Sequence, residues 1–128
     1  MSLLPRDELN VVLVGSRKIA ELNKRFLNHD GPTDVITFDY TKDPDAYIIN
    51  ESRLVGEIFV CIDMAVSAAR DHGQSVSREV VLYIIHGILH LRGFNDGQDD
   101  EKQLMRQAET SLISRLNQHF DLDGFFVS

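Results

Sequence analysis

Between Val80 and Leu91 the chain carries no Asp, Glu, Lys or Arg, yet it includes two histidines four residues apart, His86 and His90. Ser77 and Glu79 stand before this run as helix-opening residues and Gly93 follows it as a stop, so the spacing predicts a helix. A helix without a charged face has to be buried on most of its circumference. The rest of the chain must therefore be built around it.

The flanking sequence supplies the cover. Leu9 to Val14 reads as a buried strand ending at Gly15. Ser16 then caps a helix of about three turns, with Ile19, Ala20, Leu22, Phe26 and Leu27 as its apolar face and Asn28 to Pro32 as its end. Asp34 to Tyr40 alternates like a strand, and Thr41 to Ser52 reads as a polar surface loop. Leu54 to Ile62 is a further strand in which Gly56 marks a bulge or a close backbone approach. Asp63 caps a helix closed by Gly73.

Asp99 and Asp100 open a last helix with Leu104, Met105, Ala108, Leu112, Ile113 and Leu116 on its apolar face, and the tail after His119 is expected to be poorly ordered. With 128 residues and 43% apolar content, residues 1–128 make one domain. The expected fold class is α+β, a mixed sheet of four strands or fewer covered by helices, with a metal site on the central buried helix.

No stretch looks like an export signal, and no apolar run approaches the ~20 residues that span a bilayer, so a cytoplasmic protein without a membrane partner is expected. Cys61 is the single cysteine, set among Phe59, Val60 and Ile62, and reads as a buried core thiol. The net charge of −7 argues against binding nucleic acid by general electrostatic attraction, and no DNA partner is expected. If RNA is the substrate, the contact has to be local.

His86 and His90, one helical turn apart, project from one face toward one ion. Asp96 follows on a turn rich in Asn, Asp and Gly, placed to give a third ligand and to leave a fourth position for water. Neutral imidazoles and a carboxylate suit a divalent cation such as zinc or nickel, which lowers the pKa of a bound water to about 7 and favours hydrolysis. The plainer alternative is a pair of satisfied core histidines, but two of them at this spacing before an acidic turn are hard to explain without metal.

The spacing also matches the metzincin proteases, in which a Glu follows the first His as general base. Here Gly87 occupies that position, so peptide hydrolysis is not expected. Gly87 serves either close packing on the sheet or substrate access beside the metal.

The run from His86 to Asp96, His-Gly-Ile-Leu-His-Leu-Arg-Gly-Phe-Asn-Asp, resembles the signature of the YbeY endoribonucleases. Pro32 to Phe38, Gly56 to Ile58, and Met105 with Glu109 resemble further segments of that family, the likeness spanning about Leu22 to Glu109. The resemblance implies a metal-dependent endoribonuclease that cuts single-stranded RNA. It also implies work on the 3′ end of the small-subunit ribosomal RNA, ribosome quality control, and the ribosomal small subunit as partner.

Two departures stand out. Asp96 occupies a position where most members carry His, as in one branch of the family, and Leu27 occupies one where an Arg is usual. Lys24, Arg25 and Arg92 are candidates to replace that charge. The resemblance also implies a chain shortened before its first strand.

His86, His90 and Asp96 are thus the expected metal ligands and, through the ion, the catalytic residues. Thr33 and Asp34 are candidates to orient the RNA, although a Pro-Thr-Asp turn can exist only to bond its own backbone. Glu57 and Glu109 are candidate partners that fix an imidazole tautomer. Asp99 or Asp100 is a candidate fourth ligand, or serves the helix dipole. The competing readings are a two-histidine, one-carboxylate iron oxygenase and a non-catalytic ribosome assembly factor with a structural metal.

Overall fold

The computed structural model describes residues 7–41, 48–49, 52–93 and 98–119. Their order is β1 (Asp7–Val14), α1 (Ser16–Leu27), β2 (Val35–Asp39), β3 (Ile48–Ile49), β4 (Ser52–Cys61), α2 (Ile62–His72), α3 (Val76–Leu91) and α4 (Asp99–His119). β4 is the central strand, with β1 parallel on one edge and β2 antiparallel on the other. The architecture is the expected α+β class.

The two-residue β3 pairs with Ser52 and Arg53, and because Arg53 also partners Asp7 of β1, β3 continues the β2 edge. The expected loop over Thr41–Ser52 therefore holds a short strand. Its signal was the apolar pair Ile48–Ile49 in an otherwise polar stretch.

β1 corrects the expectation of a buried strand. It is an edge strand, and Val11 and Leu13 are 40% and 45% exposed. An apolar, β-branched run fixes the extended conformation but does not tell a central strand from an edge one.

The sheet is covered on both faces. On one, Ile19, Leu22, Ile36, Phe38, Phe59 and Cys61 form the core under α1, with Cys61 fully buried as expected. α1 buries a narrower stripe than its apolar residues suggest, since Phe26 and Leu27 are exposed. On the other face Ile58 and Val60 pack with Ala65 of α2 and Val80, Ile84 and Ile88 of α3.

α3 is covered a second time. Val81, Ile85 and Leu89 turn away from the sheet and pack on Met105, Ala108, Leu112, Ile113 and Leu116 of α4, while Leu104 falls outside that stripe and is exposed. This double burial is why α3 has no charged residue between Val80 and Leu91.

Two glycines let α3 lie close to the sheet. A Cβ on Gly87 would stand 2.9 Å from Ile58 Cδ1 and 2.9 Å from Thr37 Oγ1, and one on Gly56 would stand 2.8 Å from the Phe38 carbonyl and 3.0 Å from Leu91 Cδ1. Gly56 also follows the register shift at which Glu8 faces Leu54 and Leu9 faces Gly56, so it marks both a bulge and a close approach.

The N-caps of α1, α2 and α3 differ from those expected. Ser16 is the first residue of α1, after Gly15, and its backbone N–H and hydroxyl both donate to Asp63 Oδ2, at 2.8 and 2.9 Å. Asp63 therefore serves α1 across the fold rather than capping its own helix, whose N-cap is Cys61. For α3 the cap is Ser75, whose hydroxyl accepts from the Arg78 N–H at 3.2 Å, and not Ser77, which is buried. Gly73 ends α2 in the left-handed conformation, as its position suggested. Among the described residues no helix is long and apolar enough to cross a membrane.

Candidate metal centre

With one side of α3 against the sheet and another against α4, His86 and His90 occupy the remaining side, partly open to solvent. One turn apart, they bring Nε2 of His86 to 3.0 Å from Nε2 of His90. His86 Nδ1 lies 2.6 Å from Glu109 Oε1 on α4, and the side chains are 28% and 19% exposed. A carboxylate oxygen there accepts from Nδ1–H, so in the neutral imidazole the lone pair is on Nε2 and faces His90.

Two imidazoles on one tetrahedral zinc, each nitrogen ~2.0–2.1 Å from it, have their nitrogens roughly 3.3 Å apart. The pair in α3 has nearly that spacing, and His86 has the tautomer a metal needs, so these residues fit a zinc-type ion. Among the described residues no group of three or more His, Cys, Asp or Glu converges as a metal site, and Asp99 and Asp100 lie exposed in the first turn of α4. Asp96, the expected third ligand, lies outside the described residues.

Two cavities meet at His86. One, of 380 Å³, is lined by Leu27, Asp34 to Thr37, Asp39, His86, His90 and Leu91. Asp34 is thus beside the histidines, though its Oδ1 accepts from the Val35 N–H at 2.8 Å and from the Thr33 hydroxyl at 3.3 Å. Thr33 is spent on that turn and does not line the cavity. Leu27 does, which puts the sequence's second departure at the site itself.

The second cavity, of 280 Å³, is lined by His86, Lys102, Met105, Arg106 and Glu109. Lys102 and Arg106 were missed by sequence reasoning. The available signal was their spacing with Met105 and Glu109, which places all four on one stripe of α4. The stripe becomes meaningful only once Glu109 is seen to face His86.

Other candidates lie elsewhere. Glu57 accepts from the Tyr40 hydroxyl at 2.7 Å and lines a separate recess with Arg25, Phe26, Phe38 and Phe59. Lys24 pairs with Asp30 at 3.2 Å, and Arg25 lies over the Phe26 ring. Arg92 ends α3, its N–H shared between the Ile88 and Leu89 carbonyls. None of these three cations lines either cavity at His86. Burial, with the nearby charges of Glu79 and Asp34, pushes the Tyr83 phenol up to about 12, so it stays protonated near neutral pH.

A family model described as Endoribonuclease YbeY matches residues 2–117. The chain belongs to the YbeY endoribonuclease family. It is 38% identical to the Endoribonuclease YbeY of Elusimicrobium minutum over 111 residues, covering 87% of this chain and 76% of that one. It is 34% identical to that of Protochlamydia amoebophila, covering 86% and 71%. A solution structure of a Thermotoga maritima protein matches with 30% identity and a TM-score of 0.47, covering 88% of this chain and 75% of that one. As a YbeY endoribonuclease this chain is a metal-dependent nuclease that acts in rRNA maturation. The oxygenase and assembly-factor readings fall away.

Proposed function

We propose that this endoribonuclease holds one zinc ion through His86, His90 and Asp96, the last a carboxylate in place of a third imidazole. It cuts single-stranded RNA in the cytoplasm, at the 3′ end of the small-subunit ribosomal RNA, with the small ribosomal subunit as its partner. Residues 1–128 act as a single domain. The observation that carries the reading is the pair of Nε2 atoms 3.0 Å apart, one of them held in its tautomer by Glu109.

The protein's own groups have separable tasks. Glu109 holds the His86 proton at Nδ1 and keeps the ring from rotating. Thr33 and Asp34 shape the turn that forms the β2 wall of the cavity, and Asp34 orients the strand there. Leu27 and Leu91 make part of that wall apolar and limit water beside the histidines. The ion, when bound, supplies Lewis acidity at a phosphoryl oxygen and activates water for attack.

The test is cleavage of a labelled single-stranded RNA by purified protein after chelation and then with added zinc or nickel, beside His86→Ala and Asp96→Ala. Activity that returns with metal and is lost in both variants supports the ligand set. Activity that survives in Asp96→Ala with undiminished metal binding removes Asp96 from it.

A further inference from the structure

The net charge of −7 gives the chain no general attraction for a polyanion, and the cavity on the β2 side of the histidines adds to the difficulty. Among the described residues its lining contains Asp34 and Asp39 and no Lys or Arg. A zinc ion at His86 and His90 would serve the scissile phosphoryl group alone, so the flanking phosphates need positive charge from another direction.

That charge stands on α4. Lys102 and Arg106 line the cavity on the other side of His86, and no ion pair occupies either side chain among the described residues. Both are exposed, while Met105 between them is buried against α3 and anchors the helix. Four residues of α-helix rise ~6 Å, so the two cations are one turn apart along the groove wall. Arg106 offers a planar fork of donors suited to bidentate contact with phosphate oxygens, and Lys102 a compact point charge. Glu109, the acidic member of this lining, is engaged with His86.

We propose that Lys102 and Arg106 form a phosphate clamp for the RNA backbone. They hold phosphates flanking the scissile one on the α4 side of His86, while the nucleotide across the histidines lies along the β2 wall. The clamp rests on the reading of His86 and His90 as the reaction centre. It gives a strongly acidic chain a local, two-cation contact with RNA, and it sets the direction in which the strand crosses the site.

The test separates binding from cleavage. Affinity of the full chain for a fluorescent single-stranded RNA oligonucleotide is measured by anisotropy across a series of KCl concentrations. The proteins compared are the parent, Lys102→Ala, Arg106→Ala, the double variant, Lys102→Arg, and Lys24→Ala as a control cation outside both cavities. The double variant is expected to bind about tenfold more weakly at physiological salt, and its log–log salt slope to fall by about 1.4, since each phosphate contact on a single strand contributes ~0.7.

Lys102→Arg should keep the slope, Lys24→Ala should match the parent, and in cleavage assays KM should rise more than kcat falls. Because both side chains are exposed, unchanged circular dichroism melting accompanies these effects. His86→Ala should lose cleavage and keep RNA affinity, so a failure of the reaction-centre reading shows as cleavage in that variant and leaves the binding data to judge the clamp. A double variant with the affinity and salt slope of Lys24→Ala overturns the proposal.

Discussion

Glu109 Oε1 lies 2.6 Å from His86 Nδ1, joining the last helix to the central one at the point where the two ring nitrogens of α3 converge. The contact bridges 23 positions of sequence and is made between partly buried side chains, so it fixes a ring rather than merely decorating a surface. Replacing Glu109 with Ala frees His86 to take either tautomer and to rotate. Metal affinity is expected to drop about 10–100-fold, the usual cost of losing such an outer partner, in competition against a chromophoric zinc chelator. An unchanged affinity would make the contact structural only.

The close approach of α3 to the sheet predicts an order among glycine variants. At Gly87 a methyl group meets the Ile58 and Thr37 side chains, and the helix gains about 1 kcal/mol of propensity in partial compensation. At Gly56 the methyl meets a carbonyl oxygen of the neighbouring strand, which cannot yield without breaking the β2–β4 ladder. Gly56→Ala should therefore cost about 1–3 kcal/mol and more than Gly87→Ala, as read from urea unfolding midpoints at constant m-value. Equal midpoints for the two would mean that the backbone at Gly56 can move.

What the sequence revealed follows from periodicity and chemistry. The uncharged run with His86 and His90 gave the central helix and two ring nitrogens of its site, because burial on two sides and a one-turn spacing are local properties. The edge position of β1 was hidden because Val11 and Leu13 look like core residues until the pairing partners are known. Asp63 was misassigned for a similar reason, since a carboxylate at the start of one helix serves another helix through a contact 47 positions away. Lys102 and Arg106 were unremarkable as charges on an amphipathic helix, and only the Glu109–His86 contact shows which way that stripe faces.

The cross-fold cap carries a pH signature. Bonds from the Ser16 N–H, first, and then from its hydroxyl hold the Asp63 carboxyl below its ordinary value of 3.8. A depressed carboxylate contributes stability above its unfolded pKa and loses it as pH falls through the folded one. Asp63→Asn should thus be less stable than the parent by a constant margin at neutral pH, and the margin should shrink below about 3.8. Thermal melts of both proteins in buffers from neutral to strongly acidic pH would check this, and a margin that does not change with acidity would contradict it.

The contact between His72 and Glu79 has the opposite sign. Glu79 is 1% exposed in the first turn of α3 and accepts from the Gln74 amide, and its Oε1 lies 2.7 Å from His72 Nδ1 at the end of α2. That hydrogen bond, then the charge of Glu79, raises the His72 pKa above 6.5, with a smaller push from Asp71 and some opposition from desolvation. A raised histidine gives its full stabilisation below 6.5 and loses it as pH climbs through the folded value. The loss is partial, because a neutral imidazole with its proton on Nδ1 still donates to Glu79. His72→Gln cannot titrate, so the stability gap between parent and variant should be widest near pH 6 and narrower by pH 9 in paired urea titrations. A gap of the same size at both would mean that His72 bonds Glu79 as a neutral ring throughout, and that the α2–α3 junction is held by a hydrogen bond rather than by charge.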